Sequence, residues 1–173
     1  MHRHPPTSGK PLLELVERDH GDAASVASVT LPFESRQRSR LRVTLDDGRE
    51  AALMLPRGEV LRGGDRLRSR CGAVVAVVAA PEPLSQVRAS EAGVLARAAY
   101  HLGNRHVAVQ VGQGWLRYRH DHVLDDMLRG LGLDVGAVSA AFEPEAGAYS
   151  PPHAHASGHD HDHDHAHDAG HDH

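Results

Sequence analysis

The chain changes its hydrophobic rhythm at Pro81-Glu82-Pro83, and that change limits what it can fold into. Before it, residues 12–18, 41–45 and 51–55 alternate apolar and polar side chains and are separated by turn residues. Alternation with period two marks half-buried strands. Asp46-Asp47-Gly48 joins two of these runs as a hairpin, because glycine supplies the positive φ that a tight turn needs. Arg62-Gly63-Gly64-Asp65 reads as a second turn. Gly72 opens AVVAVVAA, residues 73–80, a short valine-rich run that reads as a buried strand. Strands without covering helices must pack on one another, which predicts a small β-barrel or sandwich domain over residues 1–80.

Beyond the break, strands and helices alternate. Residues 84–88 suit a strand. Residues 91–102 suit a helix with Val94, Leu95, Ala98, Ala99 and Leu102 on one stripe, and Gly103 stands where a C′ glycine ends a helix. Residues 106–111 alternate as a strand, Gly112-Gln113-Gly114 turns, and residues 115–119 return as a strand. Asp121 suits the N-cap of a second helix whose buried stripe is Val123, Leu124, Met127, Leu128 and Leu131. Gly130 and Gly132 stop it, and residues 135–142 suit a last strand. The order β-α-β-β-α-β is the ferredoxin-like arrangement, two helices on one face of a four-stranded sheet. The predicted class is α+β: an N-terminal β domain, residues 1–80, and a C-terminal ferredoxin-like domain, residues 81–150. Pro81-Glu82-Pro83 reads as the link between them.

After Pro151-Pro152 apolar periodicity ends. Residues 151–173 are almost entirely His, Asp, Ala and Gly, and such a segment cannot bury enough apolar surface to offset its ordering entropy. It is expected to be disordered. Nine of the 16 histidines lie here: His153, His155, His159, His161, His163, His165, His167, His171 and His173. Neutral imidazole suits nickel, zinc and copper, and in a pliable chain His at i and i+2 wraps one ion. The five interleaved aspartates add negative potential. Protons compete for the same lone pairs, so binding weakens as pH falls. Affinity alone does not name the cargo, since copper outranks nickel in any such donor set. An inert solubilising tail or a purification tag is the bland alternative, but a tag is usually an uninterrupted His run.

Charge excludes one class of function. The nominal net charge is −4, yet removing the acidic tail leaves 19 basic and 18 acidic residues in the body. The 18 arginines are interspersed with Asp and Glu, which is a solvated mixed surface and not the clustered positive charge of a nucleic-acid binder. The apolar run at residues 73–80 is far shorter than the ~20 residues that span a bilayer. The N-terminal MHRHPPTSGK lacks the apolar core of a signal peptide. A soluble cytoplasmic protein is expected. A lone cysteine, Cys71, excludes an intrachain disulfide and a cysteine zinc cluster; it reads as a small core or boundary residue. Neither GxSxG nor HExxH occurs, so no hydrolase constellation is legible.

The body histidines divide. His101 falls in the last turn of the predicted helix, where the macrodipole favours a cation. His106, a lone histidine just past a helix end, reads first as structural. His120 and His122 are two apart in an extended segment and so share a face. That spacing suits a chelate, and it equally suits a polar loop leading into the second helix.

Further motifs bear on these residues. Tyr100-His101-Leu102-Gly103-Asn104-Arg105-His106 is followed by Asp121-His122-Val123-Leu124, then by Phe142-Glu143-Pro144-Glu145, Gly147-Ala148-Tyr149 and the His-rich tail. In the first half stand Ser35-Arg36-Gln37, Ser39-Arg40, Leu55-Pro56-Arg57-Gly58, Leu61-Arg62 and Gly64-Asp65. Together they resemble the urease accessory protein UreE, a nickel metallochaperone family, over nearly the whole chain. The resemblance implies a homodimer with an N-terminal domain that binds protein partners and a C-terminal domain that dimerises. Those partners are the accessory GTPase and pre-activation complex and apo-urease. It implies that the histidine of Gly103-Asn104-Arg105-His106 lies at the dimer interface, where two copies share a metal ion. His106 thereby becomes the first candidate ligand, and His120 and His122 match a peripheral pair that some members carry. The implied cargo is Ni(II), with Zn(II) or Cu(II) as competitors, and the implied role is delivery to apo-urease. A nickel or zinc store without a delivery partner is the alternative; a store needs only the tail.

Overall fold

A computed structural model describes residues 12–147. The nine tail histidines and residues 148–173 lie outside the described residues.

The first half forms one six-stranded sheet. Its strands are β1 (Leu13–Arg18), β2 (Ala27–Leu31), β3 (Arg40–Thr44), β4 (Glu50–Met54), β5 (Arg66–Ser69) and β6 (Val74–Ala79), with a short helix α1 (Phe33–Arg36) after β2. The order across the sheet is β2-β6-β5-β1-β4-β3. Both predicted turns hold. Gly48 at φ 84° closes β3 onto β4, and in Arg62-Gly63-Gly64-Asp65 the Asp65 N–H donates to Arg62 O at 3.1 Å with Gly64 at φ 92°. Gly72 at φ 85° closes β5 onto β6, a further turn beyond those two. Alternate residues point inward, so Leu15, Val29, Val43, Leu53, Leu67, Val75 and Val77 share one core. The sheet curls towards a barrel. Its outer strands meet at Asp46, whose backbone N–H donates to Ser28 O at 2.9 Å. The Asp46 carboxylate accepts from the Ser28 hydroxyl at 2.6 Å and from Thr30 N–H and its hydroxyl at 3.2 and 3.0 Å.

Those bonds, the Ser28 hydroxyl foremost, hold the Asp46 carboxyl below the ordinary carboxylate range. A depressed folded-state value gives stability that is complete above the unfolded value and is lost as pH falls through the folded one. Asp46→Asn is therefore expected to flatten the acid limb of a stability–pH profile measured by denaturant unfolding. A profile parallel to wild type would remove Asp46 from the closure.

Two features of this sheet were not legible. β1 pairs with β4 and β2 with β6 in parallel, and no local turn signal encodes a crossover. β2 and β5 lie in segments dense in Ser, Arg and Ala, where apolar alternation is weak. Cys71 is exposed in the turn between β5 and β6 and is not a core residue. Its thiol lies 3.2 Å from the Ser69 hydroxyl, which lowers its pKa.

The second half is β7 (Pro81–Arg88), α2 (Ala92–Gly103), β8 (Gln110–Gly112), β9 (Trp115–Arg119), α3 (His122–Gly130) and β10 (Val135–Ala141). The sheet order β10-β7-β9-β8 places the first strand centrally beside the third, as the ferredoxin-like arrangement requires. α2 and α3 cover one face. Val94, Leu95, Ala98, Ala99 and Leu102 from α2 meet Leu124, Met127, Leu128 and Leu131 over Val87, Leu116 and Tyr118. Val123, placed on the buried stripe from sequence, is instead 62% exposed. Gly112 is demanded by packing, since a Cβ there would lie 2.2 Å from the Trp115 ring.

Pro81-Glu82-Pro83 is not a free link. It is the first part of β7, paired to Ala141, Ala140 and Ser139 of β10. β9 begins to pair only at Leu84, so the missing proline N–H groups cost no ladder bond. Glu82 is buried and accepts the backbone N–H of Phe33 at 2.6 Å, at the start of α1. The two sheets meet around Phe33, Leu84 and Phe142, the phenyl rings edge-to-face at 5.4 Å. Arg36 is wholly buried in that seam. Its guanidinium donates to the carbonyls of Leu31 and Leu61 at 3.2 and 3.0 Å and of Phe142 at 2.5 Å, and to the Glu143 carboxylate at 2.9 Å. Glu143 also accepts from Arg62 at 3.1 Å and from the Gly63 N–H at 2.7 Å.

Candidate metal centre

His106 ends α2 and does not begin a strand. Its φ is 55°, the one positive value for a non-glycine residue among the described residues. Its N–H donates to Gly103 O at 2.9 Å, and the Val107 N–H donates to Leu102 O at 3.2 Å. This bond pair is the Schellman motif, with His106 at the left-handed C′ position and Val107 packed back onto Leu102. Gly103, assigned that position from sequence, is the last helical residue. Glycine is usual at C′ because an L side chain there costs about 1–2 kcal/mol. Residues held in such strained conformations cluster at functional sites. The ring is exposed and has no hydrogen bond or ion pair to any described residue.

α2 leads to His106 with an unusual outer face. Ala92, Gly93, Ala96, Tyr100 and Gly103 are exposed, Tyr100 by 64%. Arg97 is the single charged side chain of the helix apart from the titratable His101. His101 lies in the last turn, as expected, with its ring edge-to-face on Tyr100 at 5.3 Å.

His120 and His122 lie at the junction of β9 and α3, both exposed. Asp121 between them is the N-cap, accepting from Val123 N–H at 2.8 Å and Leu124 N–H at 3.2 Å. His122 is already the first helical residue, so the extended segment that spacing implied is interrupted there. The His122 ring has no hydrogen bond or ion pair to any described residue. The His120 ring is held. Its Nδ1 lies 3.0 Å from the Ser85 hydroxyl and 3.4 Å from Asp125 Oδ2. Asp125 is buried in the first turn of α3 and accepts from the Tyr118 hydroxyl at 2.6 Å. Burial pushes the Asp125 carboxyl up, but bonds from Ser85 and Tyr118, the neighbouring His120 ring and the Arg129 guanidinium bring it below the ordinary range. Burial, then the bond to Asp125, pushes the Tyr118 phenol well above its ordinary value.

The sequence carries one signal for this network: Tyr118 points inward on a strand, and its hydroxyl must find a partner when buried. Asp126, the residue after Asp125, is exposed and bonds Arg129 at 3.2 Å; the carboxylate beside His120 is Asp125.

The two candidate sites border one cleft. Val107 and Ala108, next to His106, line it together with Arg119, His120, Asp121 and Leu124, and Phe33 and Gln37 close it from α1. The chain beyond β10 comes back to the same loop: the Glu145 N–H donates to Val109 O at 2.8 Å, and Gln110 Oε1 accepts the Glu143 N–H at 3.1 Å. Among the described residues no three His, Cys, Asp or Glu side chains converge to hold a metal ion. A tight site built on His106 therefore needs ligands from a second copy, from the chain beyond residue 147, or from water.

Comparison with known proteins covers both halves. The profile described as UreE urease accessory protein, C-terminal domain, matches residues 82–173, and that of the N-terminal domain matches residues 9–80. Among curated proteins, the chain is similar to a Urease accessory protein UreE of Pseudomonas putida, 61% identical over 145 residues, which is 83% of this chain and 90% of the relative. The counterpart from Alkalilimnicola ehrlichii is 59% identical over 138 residues, 80% and 85% of the two chains. That from Escherichia coli O157:H7 is 54% identical over 146 residues, 83% and 95%.

Proposed function

The chain belongs to the UreE family of urease accessory proteins, and on that premise we propose that it carries Ni(II) to apo-urease during assembly of the metallocentre. It acts as a carrier, not a catalyst, in the cytoplasm. The observation that carries the reading is His106: a histidine kept at a left-handed helix end, its ring free, beside a helix face of small residues and Tyr100 with the single charge of Arg97. Two copies meeting across the outer face of α2 would bring two His106 rings to one ion. Two imidazoles leave the coordination shell open, and this suits a carrier that must also release its ion. Histidines from the tail, or water, complete it. Gly147 leaves from the loop that holds His106, and His153 stands six residues further on, within about 20 Å of extended chain. His120 and His122 form a peripheral site on the same cleft. The N-terminal sheet, with Arg57 exposed after β4, meets the accessory GTPase, the pre-activation complex and urease.

Domain limits of 1–80, 81–150 and 151–173 follow from this division of labour. Zn(II) and Cu(II) compete for the same donors. No helix among the described residues is long and apolar enough to cross a membrane.

Nickel titration of four proteins tests the proposal: intact chain, residues 1–150, His106→Ala, and the combination. The expected result is a tight site, one ion per dimer, that survives tail removal and disappears with His106→Ala. If all tight nickel leaves with the tail, the folded body is not the carrier and the protein is a store.

A further inference from the structure

We infer that Ser85, Asp125 and Tyr118 are positioning residues for metal capture: they hold the His120 ring with Nδ1 turned inward, so that Nε2 alone faces an incoming divalent ion. The inference rests on the proposed role of His120 as a metal ligand.

The geometry is a chain of short contacts from core to surface. Tyr118 and Ser85 are fully buried, and Asp125 is 4% exposed. Tyr118 and Ser85 stand opposite each other on β9 and β7, on the face that α3 covers. The Tyr118 hydroxyl donates to Asp125 Oδ1 at 2.6 Å, so one carboxylate oxygen is fixed by the core. The other faces His120 Nδ1 at 3.4 Å and the Arg129 guanidinium at 3.7 Å. The Ser85 hydroxyl lies 3.0 Å from Nδ1 and within reach of the same carboxylate. A hydroxyl has one proton. If Ser85 gives it to the carboxylate, its oxygen accepts from Nδ1–H, and the imidazole is set as the tautomer with Nε2 bare. The His120 N–H also donates to Pro83 O at 3.2 Å, which fixes the backbone under the ring.

Two consequences follow. Metal binding at Nε2 makes Nδ1–H more acidic and strengthens its bond to an anionic partner, so the network favours the loaded ring, and losing such a partner costs about 10–100-fold in metal affinity. His120 and His122 are also unequal. His120 is preorganised by the core, while His122 is an exposed ring without a described partner, so it is the adaptable second donor.

The test uses the full-length chain with ¹⁵N-labelled histidine rings, titrated with Zn(II) as a diamagnetic probe, the His120 resonances being identified by their loss in His120→Ala. The expected wild-type result is an Nδ1–H ring whose Nε2 signal moves on zinc addition. Ser85→Ala and Asp125→Asn are each expected to let the Nε2–H tautomer appear. The zinc concentration at half-shift should rise by about 10–100-fold, with the backbone amide spectrum otherwise unchanged. Ser85→Ala removes only a hydroxyl and supplies the answer if Asp125→Asn fails to fold. A wild-type ring in the Nε2–H form, or variants with an unchanged zinc midpoint, overturns the positioning role. A His120 signal that zinc never moves overturns the metal reading beneath it.

Discussion

Replacing His106 with glycine is expected to destroy the tight nickel site and to stabilise the fold. The two effects come from the same atoms. The imidazole is the proposed ligand, and the Cβ that carries it is what makes φ 55° costly. Glycine pays no such penalty, so relief of about 1 kcal/mol is expected, a rise of roughly 2–4 °C in melting temperature for a chain of this length. His106→Ala separates the terms. It loses the ligand equally but keeps a Cβ in the left-handed region, so it gains no stability. Nickel affinity should fall in both by more than the about 10–100-fold that a supporting group contributes. Calorimetric melting beside nickel titration reads both quantities. A glycine variant no more stable than the alanine variant would show that the turn is not strained. A glycine variant that keeps tight nickel would remove His106 from the site.

Arg36→Met is expected to cause a large loss of stability, about 3–5 kcal/mol, or roughly 6–20 °C in melting temperature. The side chain is wholly buried and joins the β2–α1 turn, the Leu61 carbonyl and the end of β10. A methionine of similar length fills part of the volume but leaves the Leu61 and Phe142 carbonyls without that donor, while Leu31 O keeps the Ala80 N–H at 2.9 Å, and it weakens the hold on Glu143. Glu143 is partly exposed, and Arg62 still pairs with it, so most of the loss comes from the unsatisfied carbonyls. Adding Glu143→Gln to Arg36→Met should therefore cost less than it does in the wild-type background, a coupling that denaturant unfolding of the cycle measures. A loss below about 1 kcal/mol for Arg36→Met would mean that the seam between the sheets is held by Phe33, Leu84 and Phe142 and by the Glu82 and Glu143 bonds that remain.

What sequence made visible follows the range of each signal. The Gly48 hairpin, the Asp121 cap and the α2 stripe are encoded within a few residues, and they stand where periodicity put them. The β-α-β-β-α-β order emerged because each of its elements has a local signature. The parallel pairing of β1 with β4 and β2 with β6 has none, since it joins residues about 40–50 apart by long-range packing. Pro81 and Pro83 misled because proline usually marks an end. Here both stand on the stretch of β7 that has only one neighbour. His106 was picked out by its motif, but its backbone was misjudged. Gly103 offered an ordinary terminator three residues too early, and nothing local says that a histidine takes the left-handed place. Asp125 was passed over because a carboxylate in a first helical turn ordinarily faces water, and only the buried Tyr118 hydroxyl gives it an inward partner.

The bond from Glu145 to Val109 has a kinetic meaning. It anchors the outgoing chain within a few residues of His106, so His153 and His155 are on a tether of eight residues or fewer from Gly147. A tether that short gives an effective concentration on the order of millimolar for the attached ligand at its target. In the proposed carrier, an ion taken up by the tail would reach the folded body by a first-order exchange, independent of protein concentration. It would pass from one imidazole to the next without ever joining the pool of free metal.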